Sequence, residues 1–388
     1  MPYVVPRGFP TSNESALVLA FGHLSVLEAC SLLREDVVAV NTPCDRVATV
    51  STHDGGISPL TKLAGIHKIA GPLVKLDEHG IRHIAEAVLN NTEFSLFSVS
   101  SYCVDTQNYE DSVQLILHAF RSIGLRKIRL LRPHGHELHA ERVLSRGVLD
   151  LVLFEQNGSL MLAPTVFVPE PGVANRVGPQ QRVDSSVSLS PRLARTLVNI
   201  AALSPGKTLL DPFCGSGTIL VEAALQGLNC VGVDVSRKRI AQTRGNLSLV
   251  ASGHRALSVT LTVGDSRELP RLIQGHPVDA IVTEPILLPT LEGRPSLPSA
   301  KSMAKRASIV YSQALEAMAR VLVRHGLLII VVPVLQTTSG AEVTIALDAA
   351  PLGLRPYQPG HFRFEYPIRL PFESTRWVKR AVYVYEAD

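Results

Sequence analysis

Four acidic residues in this sequence each stand at the end of a short, mainly apolar segment. They are Asp211, Asp234, Asp265 and Glu284. Short apolar runs bounded by turn residues predict buried strands, and in open α/β sheets ligands bind outside the carboxyl ends of the strands. We therefore expect the four carboxylates to lie along one edge of a sheet. There they could accept hydrogen bonds from amines and hydroxyls of a ligand.

The first acid opens a glycine turn between a predicted strand, 208–211, and a predicted helix, 219–226. Gly215 and Gly217 suit a backbone that turns with positive φ or closely approaches a ligand. The turn lacks the lysine of a phosphate-binding P-loop, because Thr218 follows the second glycine. A carboxylate at its start would also repel phosphate. A ligand with a positive charge or a free amine fits better, and a purely structural strand-to-helix connection is the alternative.

The second acid follows this turn at the sequence spacing that is typical of a ribose-binding carboxylate. Asp234 ends the apolar run 230–234, and nucleotide-binding acids follow their glycine turn by about 20 residues. The dinucleotide pattern has three glycines, whereas this turn has two. An acid, a glycine turn and a second acid together fit S-adenosylmethionine better than NAD or ATP.

The fourth acid begins the turn Glu284-Pro285-Ile286-Leu287. An amine whose lone pair is delocalised into a ring is a poor nucleophile. A carboxylate and a backbone carbonyl can each accept one N–H, which orients the amine and stabilises charge on nitrogen during methyl transfer. We predict that Glu284 and the carbonyl of Pro285 do this, and that the proline stiffens the turn.

The elements that would position these acids begin at Ser190, a predicted cap followed by a proline at the first helical position. Strands are predicted at 208–211, 230–234, 258–265, 278–284 and 326–333, and helices at 219–226, 237–251 and 303–325. This alternation predicts a parallel sheet with crossover helices, an α/β doubly wound fold. Residues 362–366 and 380–385 are predicted to add an antiparallel pair at the end of the chain.

The front of the chain predicts two α+β parts and a linker. Residues 1–60 have the strand and helix order of a small ferredoxin-like unit. Residues 61–168 contain a predicted helix, 111–124, capped by Asp111 or Ser112, and a hairpin that turns at Asn157-Gly158. Residues 169–189 are rich in proline and glycine, which predicts a linker.

Asp211 to Ala224, Asp-Pro-Phe-Cys-Gly-Ser-Gly-Thr-Ile-Leu-Val-Glu-Ala-Ala, resembles motif I of the RNA methyltransferases that modify N2 of guanosine. The most similar of these is the family that acts on guanosine 10 of tRNA, and Ser188 to Arg195 is similar to its lead-in helix. Residues 61–168 resemble the THUMP domain, an RNA-binding module of tRNA-modifying enzymes. The resemblance implies a methyltransferase-type Rossmann-like sheet at 190–388, S-adenosylmethionine as cofactor and tRNA as partner.

The resemblance also implies roles for individual residues. The methionine part of the cofactor would be held by motif I, its ribose by the second strand end, and its adenine amine by the third. Carried over in that order, the residues are Asp211, Pro212, Gly215, Gly217 and Thr218, then Asp234 and Val235, then Asp265 and Ser266. A helix cap is the alternative for Asp265.

The catalytic turn departs from the family pattern, which has Asp or Asn, two prolines and an aromatic residue. Here Ile286 replaces the second proline and Leu287 replaces the aromatic. Leu287 can offer the base an apolar platform but no π-stacking. The departure leaves two alternatives: an amino-methyltransferase of adenine or cytosine in DNA or RNA, or a non-catalytic RNA-binding relative.

Several basic residues are predicted to bind the RNA backbone, which positions a nucleic acid without reading its sequence. They are Lys127, Arg129 and Arg132 in the THUMP-like part, Arg176 and Arg182 in the linker, and Arg294 after the catalytic turn. Solvated charges on a strand edge, loop or helix start are the alternative for each group. His134, His136 and His139 have no cysteine or acid cluster beside them, so no metal site is expected.

The composition excludes several classes of protein. A net charge of +4 allows one basic groove but not a wholly basic protein. The five cysteines contain no Cys-x-x-Cys pair, which argues against a zinc site and a disulfide scaffold, and we interpret all five as packing residues. No signal peptide and no apolar run of about 18 residues is present. We therefore predict a cytoplasmic protein without a membrane span, and the sequence makes no prediction of its oligomeric state.

Overall fold

A computed structural model describes residues 14–34, 36–53, 57–89, 94–133, 135, 137–138, 140–143, 148–169, 189–251, 257–275, 277–285, 288, 291–360, 362–370 and 377–388. The chain forms two compact units. The first comprises Met1–Ala29 and Leu33–Gly172, and the second comprises Cys30–Leu32 and Val173–Asp388.

The described part of the first unit contains a nine-stranded sheet and four helices. The strands are β1 (Glu14–Leu19), β2 (Val37–Cys44), β3 (Val47–Thr52), β4 (Ile66–Ala70), β5 (Val74–Lys75), β6 (Leu96–Tyr102), β7 (Arg129–Leu130), β8 (Val148–Gln156) and β9 (Ser159–Phe167). The helices are α1 (His23–Leu32), α2 (Glu78–Leu89), α3 (Thr106–Ser122) and α4 (Ala140–Val143). The sheet order is β2-β3-β1-β4-β9-β8-β6-β7, with β5 beside β9.

One sheet continues across the predicted domain boundary at residue 60. Strand β1 pairs with β4 on one side of that boundary, and β4 pairs with β9. The expected β-α-β-β order at the start of the chain is present. The boundary therefore does not separate two sheets, and the division into a ferredoxin-like and a THUMP-like domain stays a prediction.

Helix α3 starts a turn and a half earlier than the sequence predicted. Asp105, not Asp111 or Ser112, is its cap, because the Asp105 side chain accepts a hydrogen bond from the backbone N–H of Asn108. Tyr109 extends the buried face towards the start of the helix, and it packs with Phe97, Val113 and others in the core between α2, α3 and the sheet. A side chain that satisfies the first free N–H groups determines where a helix begins.

The hairpin of β8 and β9 confirms the Asn157-Gly158 turn. Both residues have positive φ, 51° and 71°, as a two-residue hairpin turn requires. Of residues 127–132, only Arg129–Leu130 pair with β6. Helix α4 comprises the four residues Ala140–Val143.

The interpretation of all five cysteines as packing residues was wrong for two of them. Cys44 and Cys103 form a disulfide, with a Cα–Cα distance of 6.6 Å across 59 residues of sequence. Spacing along the chain could not show this pair, because the fold brings the end of β2 to the residue after β6. Cys30, Cys214 and Cys230 are free and buried.

The second unit contains the predicted parallel sheet. Its described strands are β10 (Thr208–Asp211), β11 (Asn229–Asp234), β12 (Val259–Val263), β13 (Val278–Thr283), β14 (Leu322–Gln336), β15 (Glu342–Thr344), β16 (Leu354–Pro356), β17 (Ile368–Arg369) and β18 (Val378–Ala387). The order is β12-β11-β10-β13-β14-β18-β16, with β15 beside β14 and β17 beside β18. Strands β10 to β14 are mutually parallel and β18 is antiparallel to β14. The strand order reverses between β10 and β13, since β11 and β12 are added on one side of β10 and β13 and β14 on the other. The carboxyl ends of β10 and β13 are therefore the switch point where doubly wound folds bind ligands.

Helices cover both faces of this sheet. They are α5 (Pro191–Ala201), α6 (Thr218–Ala224), α7 (Arg237–Ala251), α8 (Leu269–Leu272) and α9 (Leu297–Val321). The Ser190 hydroxyl accepts from the N–H of Leu193 at the start of α5, which confirms the predicted cap. Residues of α8 and α9 form a core with alternate residues of β10, β11, β13, β14 and β18. No helix in the described part of the chain is long and apolar enough to span a membrane.

Two predictions near the end of the chain were wrong. Helix α9 begins at Leu297, where the Ser296 hydroxyl caps it, and ends at Val321 because β14 starts at the next residue. The prediction had placed it at 303–325. Among residues 362–366, the described ones form no strand, and β18 instead pairs with β14, β16 and β17.

Candidate active site

The glycine turn after β10 is held in place by helix α7. Gly217 has φ 86° and lies directly before α6. A Cβ atom on Gly217 would lie 2.7 Å from Cγ2 of Thr243, whose hydroxyl donates a 2.7 Å hydrogen bond to the carbonyl of Gly215. Asn246 also donates to the carbonyl of Ser216, at 2.8 Å. The turn therefore needs glycine at 217 for both its conformation and its packing.

Asp211, the last residue of β10, is almost completely buried. Its Oδ1 accepts a 2.7 Å hydrogen bond from the Thr283 hydroxyl and a 3.1 Å bond from the N–H of Phe213. Burial raises the pKa of Asp211 to about 7, against the two hydrogen bonds, and the negative charges of Asp234 and Glu284 add to the rise. The carboxylates at the ends of β10, β11 and β13 thus lie close enough to influence one another, as the sequence predicted.

Asp234 at the end of β11 is joined to the same turn. Its Oδ2 accepts from the N–H of Gly215 at 3.0 Å, and its Oδ1 accepts from the N–H of Ser236 at 2.8 Å. The next residue, Val235, has 71% of its surface exposed although it is apolar. A carboxylate fixed by two backbone donors, with an exposed apolar side chain beside it, fits a ribose with an adjoining flat base.

Asp265 pairs with a nearby arginine of its own loop. Its carboxylate forms an ion pair with Arg267 at 2.6 Å, and Oδ1 accepts from the backbone N–H of Arg267 at 2.9 Å. These bonds lower the pKa of Asp265, chiefly through the Arg267 side chain. Asp265 therefore caps the 3₁₀ turn that begins with the buried Ser266, which was the alternative interpretation of this residue. Its role towards an adenine amine stays a prediction.

Glu284 directly follows β13 and is paired with a residue that the sequence analysis did not select. Its carboxylate forms an ion pair with Arg380 of β18, and the two side chains are only 13% and 17% exposed. The pairing follows from the strand register, because β14 lies between β13 and β18. Ile330 of β14 is opposite Thr283 of β13, and Pro333 of β14 is opposite Arg380 of β18. An arginine within the apolar run at 378–385 was the only signal in the sequence.

The backbone carbonyl of Pro285 is also engaged. It accepts a 2.6 Å hydrogen bond from the hydroxyl of Tyr311, a buried residue of α9. A carbonyl has two lone pairs, so this bond leaves one for a ligand while fixing the direction of the group. Tyr311 was missed because it lies among the apolar residues of the helix face.

The comparison with known families agrees with this geometry. The family described as "RMKL-like, methyltransferase domain" matches residues 179–341. That range includes the glycine turn and all four acids. Residues 179–341 are therefore similar to that methyltransferase family.

Curated relatives share only part of their length with this chain. One is tRNA (guanine(10)-N2)-dimethyltransferase from Methanothermobacter thermautotrophicus, which is 42% identical over 99 residues, 25% of this chain and 27% of the relative. Another is tRNA (guanine(6)-N2)-methyltransferase from Thermus thermophilus, 40% identical over 102 residues, 25% of this chain and 28% of the relative. The chain thus matches about a quarter of the length of either relative.

A solved structure extends the likeness in fold. TrmN from Thermus thermophilus superposes with a TM-score of 0.55 at 16% identity and covers 97% of this chain and 99% of that one. At this identity the likeness shows the fold alone. The Rossmann-like expectation for the methyltransferase domain and the α+β expectation for the first unit are consistent with it.

The predicted RNA-binding residues fall into three groups. Lys127, Arg129 and Arg132 are exposed around the edge strand β7 of the first unit, where Arg132 pairs with Glu110 at 2.6 Å. Arg294 follows the Glu284 turn of the second unit, is exposed, and lies over the ring of Trp377. Arg176, Arg182 and Leu287 lie outside the described residues.

The three histidines of the polar loop, His134, His136 and His139, also lie outside the described residues. Within the described ranges, no group of three or more His, Cys, Asp or Glu side chains could hold a metal ion.

Proposed function

We propose that this chain transfers a methyl group from S-adenosylmethionine to the N2 amine of a guanosine in tRNA, at position 10. The observation that carries the proposal is the 2.7 Å hydrogen bond between Asp211 and Thr283. It joins the cofactor turn after β10 to the residue before Glu284, across the switch point of the sheet. A group held by the first turn and a base held by the second would therefore meet in one place.

The residues present fit S-adenosylmethionine. The turn at Gly215 and Gly217 lets a ligand approach the backbone closely, and Asp234 keeps lone pairs for ribose hydroxyls beside its two backbone bonds. When bound, the cofactor supplies an electrophilic methyl group and a positive charge. That charge would favour the ionised form of Asp211, whose pKa of about 7 leaves it poised between two protonation states.

The catalytic turn supplies two acceptors for the amine. Glu284 accepts one N–H and the carbonyl of Pro285 accepts the other, so that the nitrogen lone pair faces the methyl group. As the nitrogen–carbon bond formed, the sulfur–methyl bond of the bound cofactor would break and S-adenosylhomocysteine would leave, and the nitrogen would lose a proton that Glu284 would receive. Arg380 holds the Glu284 carboxylate in place, and Tyr311 holds the carbonyl of Pro285.

The choice of tRNA rests on the relatives and on the first unit. Relatives that are 31 to 42% identical over about 100 residues bear the name tRNA (guanine(10)-N2)-dimethyltransferase. The first unit, with its THUMP-like part at 61–168, would bind the RNA backbone through Lys127, Arg129 and Arg132. Arg176, Arg182 and Arg294 would add contacts near the target, and Leu287 would border the base. An amine inside a helix is inaccessible, so the target base would flip out, and the reaction would take place in the cytoplasm.

The test is incubation of the protein with an unmodified tRNA transcript and S-adenosylmethionine labelled in its methyl group, followed by identification of the labelled nucleoside. We expect N2-methylguanosine or its dimethyl form, and much slower labelling with Glu284→Gln. Label in adenosine or cytidine would instead support an amino-methyltransferase of another base. Binding of RNA and cofactor without any transfer would support the non-catalytic relative, which the altered turn Glu284-Pro285-Ile286-Leu287 makes the competing candidate.

A further inference from the structure

Trp377 is the only tryptophan of the chain, and it is exposed. Its exposed fraction is 37%, although tryptophan gains much from burial. The guanidinium carbon of Arg294 lies over its ring, 5.3 Å from the centroid. A flat cation therefore covers part of an aromatic ring that is still in contact with solvent.

This pair lies beside the catalytic turn. The carbonyl of Trp377 accepts a 2.9 Å hydrogen bond from the N–H of Gln336, the last residue of β14. The next residue, Val378, packs in one apolar cluster with Leu288 and Leu291, which follow Glu284 in the sequence. Trp377 is thus at the carboxyl edge of the sheet.

The distance to the reacting group can be judged from the strand. Trp377 precedes Arg380, the partner of Glu284, by three residues. At about 3.3 Å per residue, the backbones of Trp377 and Arg380 are about 10 Å apart. A nucleotide held at Glu284 could therefore have a neighbouring base at Trp377.

The loop that carries Arg294 is anchored at the same edge. The carbonyl of Pro295 accepts a 3.0 Å hydrogen bond from the N–H of Thr338, two residues beyond β14. The Ser296 hydroxyl then caps α9. The two residues that follow Arg294 are therefore each held by a hydrogen bond, which fixes the loop that carries Arg294.

We propose that Trp377 and Arg294 form a stacking platform for an unpaired nucleobase of the substrate RNA at the entrance to the catalytic turn. Base–aromatic stacking is strong and tolerant of sequence because every base has a π-face, and arginine adds cation–π attraction and a charge for phosphate. This inference rests on the proposed function, since it assigns the substrate of that site to an RNA with an exposed base.

The single tryptophan makes the platform directly observable. Titration of the full-length wild-type protein with a tRNA transcript should quench Trp377 fluorescence saturably, and a short single-stranded RNA should quench it too. Inorganic polyphosphate, which has charge but no bases, should not. Absence of any change while an independent filter-binding assay shows saturation with tRNA would overturn the proposal.

Substitutions separate stacking from mere apolar contact. Trp377→Phe keeps a π-face and should bind tRNA nearly as wild type, whereas Trp377→Leu and Trp377→Ala should bind about 5- to 100-fold more weakly, the range expected for the loss of one stacked base. Each variant should keep the wild-type melting temperature and S-adenosylmethionine affinity, which shows that it is folded. Equal tRNA affinity of Trp377→Leu and wild type would also overturn the platform.

The outcomes distinguish the platform from the proposed function. If wild type binds tRNA with quenching of Trp377 but never transfers a methyl group, the proposed function fails and the platform stands. If wild type methylates guanosine and Trp377→Ala does so with unchanged KM for tRNA, the platform fails and the proposed function stands.

Discussion

Arg380 of β18 forms an ion pair with Glu284, the acid that follows β13, although the two residues are 96 positions apart in the sequence. Both side chains are mostly buried. Hydrogen bonds between an arginine and a carboxylate are strong and directional. The pair therefore fixes the direction in which the Glu284 carboxylate could accept an N–H.

Glu284→Gln should lower kcat for methyl transfer by about 10²- to 10⁴-fold, the range for a group that assists proton transfer, and leave S-adenosylmethionine binding unchanged. Single-turnover assays and calorimetry with the cofactor measure the two effects. Wild-type rates in this variant would rule out the catalytic role of Glu284.

Arg380→Met should lower kcat about 10- to 100-fold, because the Glu284 carboxylate loses the ion pair that directs it and small misplacements of reacting groups slow catalysis. Single-turnover assays with tRNA check this. Arg369→Met is the matched control, since Arg369 is exposed on the neighbouring β17 and pairs with Glu342. An equal effect of the two variants would show that Arg380 does not act through Glu284.

Asp211→Asn should change how stability depends on pH. The folded-state pKa of Asp211 is raised from 3.8 to about 7, so the folded chain binds the proton more tightly than the unfolded chain between these values. Its contribution to stability is present below pH 3.8 and is lost as pH rises towards 7, by a few kcal/mol at about 1.4 kcal/mol per pKa unit. Urea unfolding of wild type and Asp211→Asn at pH 5 and pH 8 should show the variant gaining on wild type at the higher pH. A stability difference that is the same at both pH values would refute the raised pKa.

Gly217→Ala should be much more damaging than Gly215→Ala. Both glycines have positive φ, but the added methyl group at 217 would meet Thr243 at 2.7 Å, whereas at 215 the nearest atom is 3.9 Å away. Thr243 cannot easily move because it is buried and bonded to the carbonyl of Gly215. We expect Gly217→Ala to lose about 2–4 kcal/mol and Gly215→Ala about 1 kcal/mol, as measured by chemical unfolding. Equal losses would mean that α7 does not hold the turn as described.

Tyr311→Phe should lower kcat about three- to tenfold, because the carbonyl of Pro285 loses the bond that directs it and small misplacements of reacting groups slow catalysis. Its stability should fall by about 1 kcal/mol. Tyr366→Phe is the matched control, since the Tyr366 hydroxyl also donates to a backbone carbonyl, that of Tyr357, at 2.7 Å. Steady-state kinetics with tRNA should show a lower kcat for Tyr311→Phe alone, and an equal effect of both variants would reduce Tyr311 to a structural role.

The features that the sequence predicted are those encoded locally. The alternation of apolar runs and the glycines at 215 and 217 specify the strand, turn and helix of motif I, because the period of apolar residues and positive φ are properties of neighbouring residues. The Asn157-Gly158 hairpin and the Ser190 cap were correct for the same reason.

The features that the sequence did not predict depend on distant parts of the chain. The pairing of Arg380 with Glu284 depends on the register of β18 against β14. The hydrogen bond from Tyr311 to Pro285 depends on which face α9 turns towards the sheet. The disulfide of Cys44 and Cys103 likewise depends on how β2 and β6 are placed in the sheet. The residue roles at the four acids stay predictions until they are tested by substitution.

The central claim is that the methyl group goes to the N2 amine of guanosine 10. It is tested most directly with two tRNA molecules that differ only at that position, one with guanosine and one with inosine, which lacks the exocyclic amine. The proposed function predicts that label from S-adenosylmethionine enters the guanosine tRNA and that none enters the inosine tRNA. Equal labelling of the two would contradict it.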